Sequence, residues 1–272
     1  MKIFDFNLHL PVVQGKDVHN VIEQDMSLSL EDLYKGFKIH YPVFQELAGA
    51  NFMLFNQELL QGSLKNFHEL CTAKLAYTIL TTLIDFRRQD IVPYIEKAIA
   101  EKVRAIMFNS YLQKITESDF QDVLRVCQFA EANKMLICID ASYGTSKMYS
   151  YDNMKLACFI ADFVSRVPIV IIHSGGYRIL EAMLLALDKH NIYLDTSFSL
   201  PYYVGSSLEQ DYAFAYKKIG VHRILFGSDH PYVPFSEALI QHLQFFEKYK
   251  FTESEIEQVM YYTAINLLHE NT

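Results

Sequence analysis

The chain has 272 residues, 51% hydrophobic and 21% charged, with 20 Phe and 18 Tyr; disordered chains are poor in aromatics, so most of the length should fold around a core. At roughly 150 residues per domain, that length suits two ordinary domains or one large α/β barrel. The 24 basic and 32 acidic residues leave a formal charge of −8, which argues against a nucleic-acid binder relying on a basic surface, because phosphate neutralisation needs clustered Lys and Arg.

The longest wholly apolar runs, such as Val167 to Ile172 and Ala182 to Leu187, fall far short of the about 20 residues a membrane-spanning helix needs. The start, Met1-Lys2-Ile3-Phe4-Asp5-Phe6-Asn7-Leu8-His9, puts a carboxylate and an imidazole where a signal peptide has its apolar region, so a cytoplasmic location is expected. Cys71, Cys127, Cys138 and Cys158 form no C-x-x-C pair and read as reduced core residues.

In chain order, short apolar runs alternate with amphipathic stretches. The runs are Ile3–Asn7, Asn51–Phe55, Tyr77–Leu83, Arg104–Phe108, Met135–Ile139, Ile169–Ile172, Ile192–Leu194 and Ile224–Phe226. Most are rich in Ile, Val, Leu and Phe without alternating polarity, as strands covered on both faces are. The helices expected between them begin with Ile91 to Lys102, after Asp90 as N-cap and with Pro93 in the first turn. Thr116 to Asn133 is next, opening with Thr116-Glu117-Ser118-Asp119, a capping-type start. Then come Asp152 to Val164, Tyr177 to Lys189, Leu208 to Lys218, Pro234 to Lys248 and Glu253 to Leu268, the last with Thr252 and Glu255 as a capping box.

Eight alternations in this length predict a (β/α)8 barrel of TIM type with a C-terminal helix, read as one domain over 1–272. An open doubly wound sheet needs a glycine turn after its first strand, and Phe6-Asn7-Leu8-His9-Leu10 has none. The 10–50 segment is far longer than the usual two to six residues of a βα connection and should lie over the barrel mouth. Its aromatics Tyr34, Phe37, Tyr41 and Phe44 suit either a lid or packing onto the barrel, packing being the favoured account.

Barrel chemistry lies at the C-terminal ends of the strands, so the residues that end each strand are informative. The first ends in Asp5-x-Asn7-x-His9, the fourth in Asn109, the fifth in Asp140 and the sixth in His173-Ser174-Gly175-Gly176. The seventh ends in Asp195-Thr196-Ser197 and the eighth in Gly227-Ser228-Asp229-His230-Pro231. Asp5 and Asp195 read as structural, since buried carboxylates need hydrogen-bond partners. Arg87 and Arg88 read as a solvated loop pair. His230 either lines the pocket or caps a turn. His19, His40, His68, His190, His222, His242 and His269 default to surface or packing roles. Tyrosines come after strand 5 (Tyr143, Tyr149, Tyr151) and strand 7 (Tyr202, Tyr203), which suits a sugar or aromatic carboxylate.

These pieces resemble the amidohydrolase superfamily, specifically the amidohydrolase-related (amidohydrolase 2) branch of metal-dependent hydrolases and nonoxidative decarboxylases. Phe226-Gly227-Ser228-Asp229-His230-Pro231 is the most specific element, supported by Ile171-Ile172-His173-Ser174-Gly175-Gly176 and Tyr193-Leu194-Asp195-Thr196-Ser197. Where the family has His-x-His after strand 1, this chain has Asn7 and His9. Where the family usually has a ligating His after strand 5, it has Asp140. Met107-Phe108-Asn109-Ser110 offers no lysine for a carbamylated bridge, so a binuclear centre is not expected.

The resemblance implies His9, Asp229, Asp140 and Asn7 as candidate metal ligands and Asp229 and His173 as catalytic residues. Substrate-binding candidates are His230, Asn109, Tyr143 and Tyr202. The oxygen-rich set shifts preference towards one Mn²⁺ or Mg²⁺, with Zn²⁺ still open, and a metal-free route with Asp229 activating water stays equally open. The expected activity is hydrolysis of a small carboxylate, lactone or sugar derivative. The alternatives are a nonoxidative decarboxylase, or a degenerate barrel that only binds a ligand or partner. A small-molecule substrate is expected, with neither nucleic acid nor membrane as partner, and the family implies pairing as a homodimer.

Overall fold

The computed structural model describes residues 1–10, 28–56, 59–60, 62–142 and 149–270. Eight strands run in chain order: β1 (Phe4–Leu8), β2 (Gly49–Leu54), β3 (Tyr77–Leu83), β4 (Ala105–Asn109), β5 (Leu136–Asp140), β6 (Ile169–Ile172), β7 (Ile192–Asp195) and β8 (Ile224–Leu225). Each pairs in parallel with the next. The circle closes where the Phe6 N–H donates to Phe226 O at 2.8 Å and the Asp229 N–H to Asn7 O at 2.9 Å. All eight expected strands are present, Tyr77–Leu83 and Ile169–Ile172 as expected and the others with ends moved by at most two residues. The fold is the expected TIM-type barrel.

Among the described residues the helices between strands are α1 (Leu30–Phe44), α2 (Leu64–Thr72), α3 (Ile91–Ala100), α4 (Ser110–Gln113), α5 (Phe120–Ala132), α6 (Asn153–Ala161) and α7 (Ile179–Asp188). Then come α8 (Ser199–Tyr203), α9 (Leu208–Ile219), α10 (Phe235–Lys248), α11 (Glu253–Glu257) and α12 (Thr263–Glu270), the last two joined by a π turn over Gln258–Tyr262. None is long and apolar enough to cross a membrane. The capping boxes at Thr116 and Thr252 form, with Asp119 and Glu255 as their acidic members. Asp90 differs from expectation. Its carboxylate caps nothing, because Arg88 takes both oxygens at 2.8 and 2.7 Å and a charge-assisted pair outcompetes a backbone amide.

Two apolar layers result. One lies between strands and helices, where Phe37 of α1 packs against Phe44, Phe52 and Phe67. The other gathers alternate strand residues such as Phe4, Met53, Ile79, Met107, Cys138 and Val170, and Tyr261, Ala264 and Ile265 of the C-terminal helical segment pack into it. This is the filled interior of a small barrel. Asn109, Asp140 and Asp195 continue the inward alternation of their strands, so polar groups replace apolar ones at the C-terminal end. Cys71, Cys127 and Cys138 are buried free thiols, whereas Cys158, expected in the core, lies on the exposed side of α6. The helical period turns it away from Leu156 and Ala157, which α6 buries.

Candidate active site

At the mouth, His9 Nε2 lies 3.5 Å from Asp229 Oδ1. His173 Nε2 lies 3.9 Å from Asp140 Oδ2. All four side chains are buried, with residue exposures of 1 to 7%. His9 directly follows β1, whose backbone fixes Asp229 through Asn7 O. His173 and Asp229 both hold left-handed backbone angles, φ 62° and 60°. Such strain persists only where the surroundings over-determine it, and it concentrates at functional sites.

Ser197 organises the centre. Its hydroxyl donates to Asp195 Oδ1, accepts from Asn7 Nδ2 at 2.7 Å, and contacts His173 Nδ1 at 3.0 Å. His173 Nδ1 also lies 3.2 Å from Ser197 O, which can only accept, so Nδ1 carries the hydrogen and Nε2 faces the carboxylates. The His173 N–H donates to Asp195 Oδ1 at 3.1 Å, and Ser174 Oγ donates to Asp195 O at 2.6 Å, locking the turn after β6. Gly227 is required by close approach. A Cβ there would lie 2.1 Å from Asp195 Oδ2, 2.9 Å from Ser197 Cβ and 3.0 Å from Asn7 Cβ.

Asp5 accepts from Asn7 N at 3.1 Å, Ser228 N at 2.9 Å and Ser228 Oγ, so it ties β1 to the strand 8 loop. Burial pushes its carboxyl up to about 7, against the pull of the Ser228 hydrogen bonds. Asp195 is raised to about 6, again by burial, with His173 and Ser197 pulling it down. For His173, burial works against the charged form, but Asp229, Asp140 and Asp195 outweigh it and the imidazole sits above its ordinary value.

The expected substrate-binding residues separate. Asn109 spends its amide on Asp140 Oδ2 at 2.8 Å and its oxygen on Leu112 N at 2.9 Å, so it orients Asp140. His230 is buried, and its Nε2 lies 3.1 Å from His40 Nδ1 of α1. Burial, with His40 and His9 adding to it, drops the His230 imidazole to about 4. Tyr202 is 68% exposed and stacks on Phe198, whose ring in turn meets the edge of His173. Tyr143 lies outside the described residues. Arg87 and Arg88 serve the framework, Arg87 donating to Gln113 O at 2.9 Å and Arg88 pairing with Asp90.

Sequence reasoning missed two members of the site. Ser197 stands two positions after Asp195 at a strand end, a signal available but unweighted. His40 lies on α1, and only the packing of that helix brings it to His230.

For a metal, the available donors are His9, Asp229 and the Asn7 Oδ1 atom, which is buried without a hydrogen-bond partner. Among the described residues no three His, Cys, Asp or Glu side chains group closely enough to hold an ion by themselves; Asn7 would add a neutral amide oxygen to the set. That mixed set fits a hard divalent cation. Asp140, the fourth expected ligand, is oriented by Asn109 Nδ2 at 2.8 Å and by Ser142 N and Oγ at 2.8 and 2.6 Å, bonds that leave a carboxylate lone pair to spare.

The family model described as Amidohydrolase matches residues 67–269. No curated protein matches by sequence. Among solved structures, an uncharacterized TIM-barrel protein from Bordetella bronchiseptica superposes with a TM-score of 0.75 at 16% identity, covering 100% of this chain and 99% of that one. A probable 2-pyrone-4,6-dicarboxylic acid hydrolase from Acinetobacter baumannii, with citric acid bound, gives 0.63 at 13% identity, covering 99% and 100%. A dihydroxybenzoic acid decarboxylase from a Polaromonas species, with bound manganese and the inhibitor 2-nitroresorcinol, gives 0.63 at 11% identity, covering 100% and 98%. At these identities the structural likeness establishes the barrel alone, and it is the family model, spanning most of the sequence, that makes this chain a member of the amidohydrolase family.

Proposed function

We propose that the protein is a hydrolase of a small carboxylate, lactone or sugar derivative, working with Asp229 as general base and His173 as general acid. The observation that carries this reading is the orientation of His173. Ser197 holds its Nδ1–H, so Nε2 is the atom presented to the buried carboxylates. Asp229, beside His9, accepts a proton from the attacking water. His173 Nε2 delivers a proton to the carbonyl or leaving oxygen, and Asp140, oriented by Asn109 and Ser142, favours the protonated imidazole. His9, Asp229 and Asn7 would hold a divalent cation, which would supply Lewis-acid polarisation and a more acidic water. The near-complete burial of these groups strengthens their electrostatics.

The test uses protein purified without chelator, assayed on lactones, esters and aromatic carboxylates, with metal content measured in parallel. Asp229→Asn and His173→Gln should each lower turnover by about 10²- to 10⁴-fold while the fold, read by circular dichroism, is kept. A variant retaining wild-type turnover overturns the assignment of that residue. The decarboxylase likeness motivates a second readout, because release of carbon dioxide without hydrolysis would replace the hydrolase reading.

A further inference from the structure

A cavity of about 490 Å³ opens at the other end of the barrel, among residues that precede the strands. His68 of α2, Thr78 at the start of β3, Lys102 and Arg104 before β4, Lys134 before β5 and Leu267 of α12 line it. In barrel enzymes this face serves stability, and the chemistry sits at the opposite one. Here it carries Lys102, Arg104 and Lys134 with no acidic side chain among the described lining residues, in a chain whose formal charge is −8. A general excess of basic residues therefore does not explain the cluster.

A further observation concerns the cavity wall. The His68 imidazole is held below its usual value by burial, against its bond to the Thr78 backbone; Lys102 and Arg104 push the same way, and Glu69 opposes them without reversing the shift. The fields of these cations thus overlap at the cavity wall. Ile99, Leu136 and Leu267 complete it with apolar surface, and the volume lies in the range of small-molecule sites.

We propose that this cavity binds a small organic anion bearing a multiply charged oxyanion head on an apolar body. Lys102, Arg104 and Lys134 receive the head, Arg104 through its planar fork. The apolar body lies along Ile99, Leu136 and Leu267. The site is separate from the mouth and does not depend on the hydrolase reading.

Isothermal titration of the full chain with benzylphosphonate, a dianion with an aromatic body and no hydrolysable bond, tests this. Binding of one molecule per chain is expected, weakened at least tenfold in a Lys102→Gln/Arg104→Gln double variant. Asp229→Asn, at the mouth, and Lys114→Gln/Lys250→Gln, on exposed lysines elsewhere, should bind as the parent does. The imidazole signal of His68 should titrate at higher pH with the anion present, which a general loss of stability would not produce. Inorganic phosphate should bind more weakly, because it lacks the body. The proposal fails if no binding is detected at millimolar benzylphosphonate, if Asp229→Asn abolishes it, or if the Lys114/Lys250 variant weakens it as much as the cavity variant.

Discussion

Replacing Gly227 by alanine tests how tightly the site is built. The added methyl would meet Asp195 Oδ2 at 2.1 Å, so that oxygen must retreat by about 1.3 Å to reach ordinary contact. Neither it nor its neighbours have room, since Asp195 and Ser197 are 0% exposed and Asn7 is 1% exposed. Overpacking of this kind costs about 1–3 kcal/mol. Moving Asp195 also strains its bonds from Ser197 Oγ and His173 N, and an unsatisfied buried acceptor adds about 1–3 kcal/mol. The expected total, about 2–6 kcal/mol from these two terms, is a large share of the ~5–15 kcal/mol that holds a folded domain. Urea unfolding monitored by circular dichroism reads it as a lowered midpoint at unchanged slope. Gly205→Ala is the control. Gly205 has φ +80° but nothing within 4 Å of the added atom, so only the left-handed backbone penalty of about 1–2 kcal/mol applies. A Gly227→Ala protein within about 0.5 kcal/mol of the parent, the range of an ordinary surface change, would refute the packing argument.

The same network predicts two other outcomes. Ser197→Ala removes the hydroxyl shared by Asn7, His173 and Asp195; it should cost about 1–3 kcal/mol and shift the pH profile of turnover, and an unchanged profile would show that Ser197 does not orient His173. His242 is buried between Ala238 O at 2.6 Å and Thr196 Oγ1 at 2.8 Å, and burial lowers its imidazole from 6.5 to about 4. Between those values the unfolded chain binds the proton and the folded chain does not, so stability is intact above about 6.5 and falls as the pH drops towards 4. His242→Gln should flatten that slope by up to about 3 kcal/mol over the window, at about 1.36 kcal/mol per pKa unit. Parallel stability–pH curves for parent and variant would contradict it.

Fold and site were legible in the sequence to different depths. The strands announced themselves because a barrel buries both faces of each strand, so apolar residues run on without alternating, and the polar residue ending each run marks the mouth. Thr252-x-x-Glu255 fixed a helix start by local bonding alone, and Asp195, Asp140, His173 and Asp229 stood out as strand-end groups. The sequence could not tell that Asp90 would be captured by Arg88, nor that Cys158 would face outward. It showed neither the pairing of His40 with His230 nor the role of Ser197 as a hub for Asn7, His173 and Asp195. The basic cavity was equally invisible, since Lys102, Arg104 and Lys134 come from successive helix–strand connections and only barrel closure puts them beside α2 and α12. The sequence determined periodicity and chemistry along each element, because those depend on neighbours within a few residues. Which side chains meet was decided by tertiary structure alone, because hydrogen bonding and charge act over a few ångströms between residues far apart in the chain.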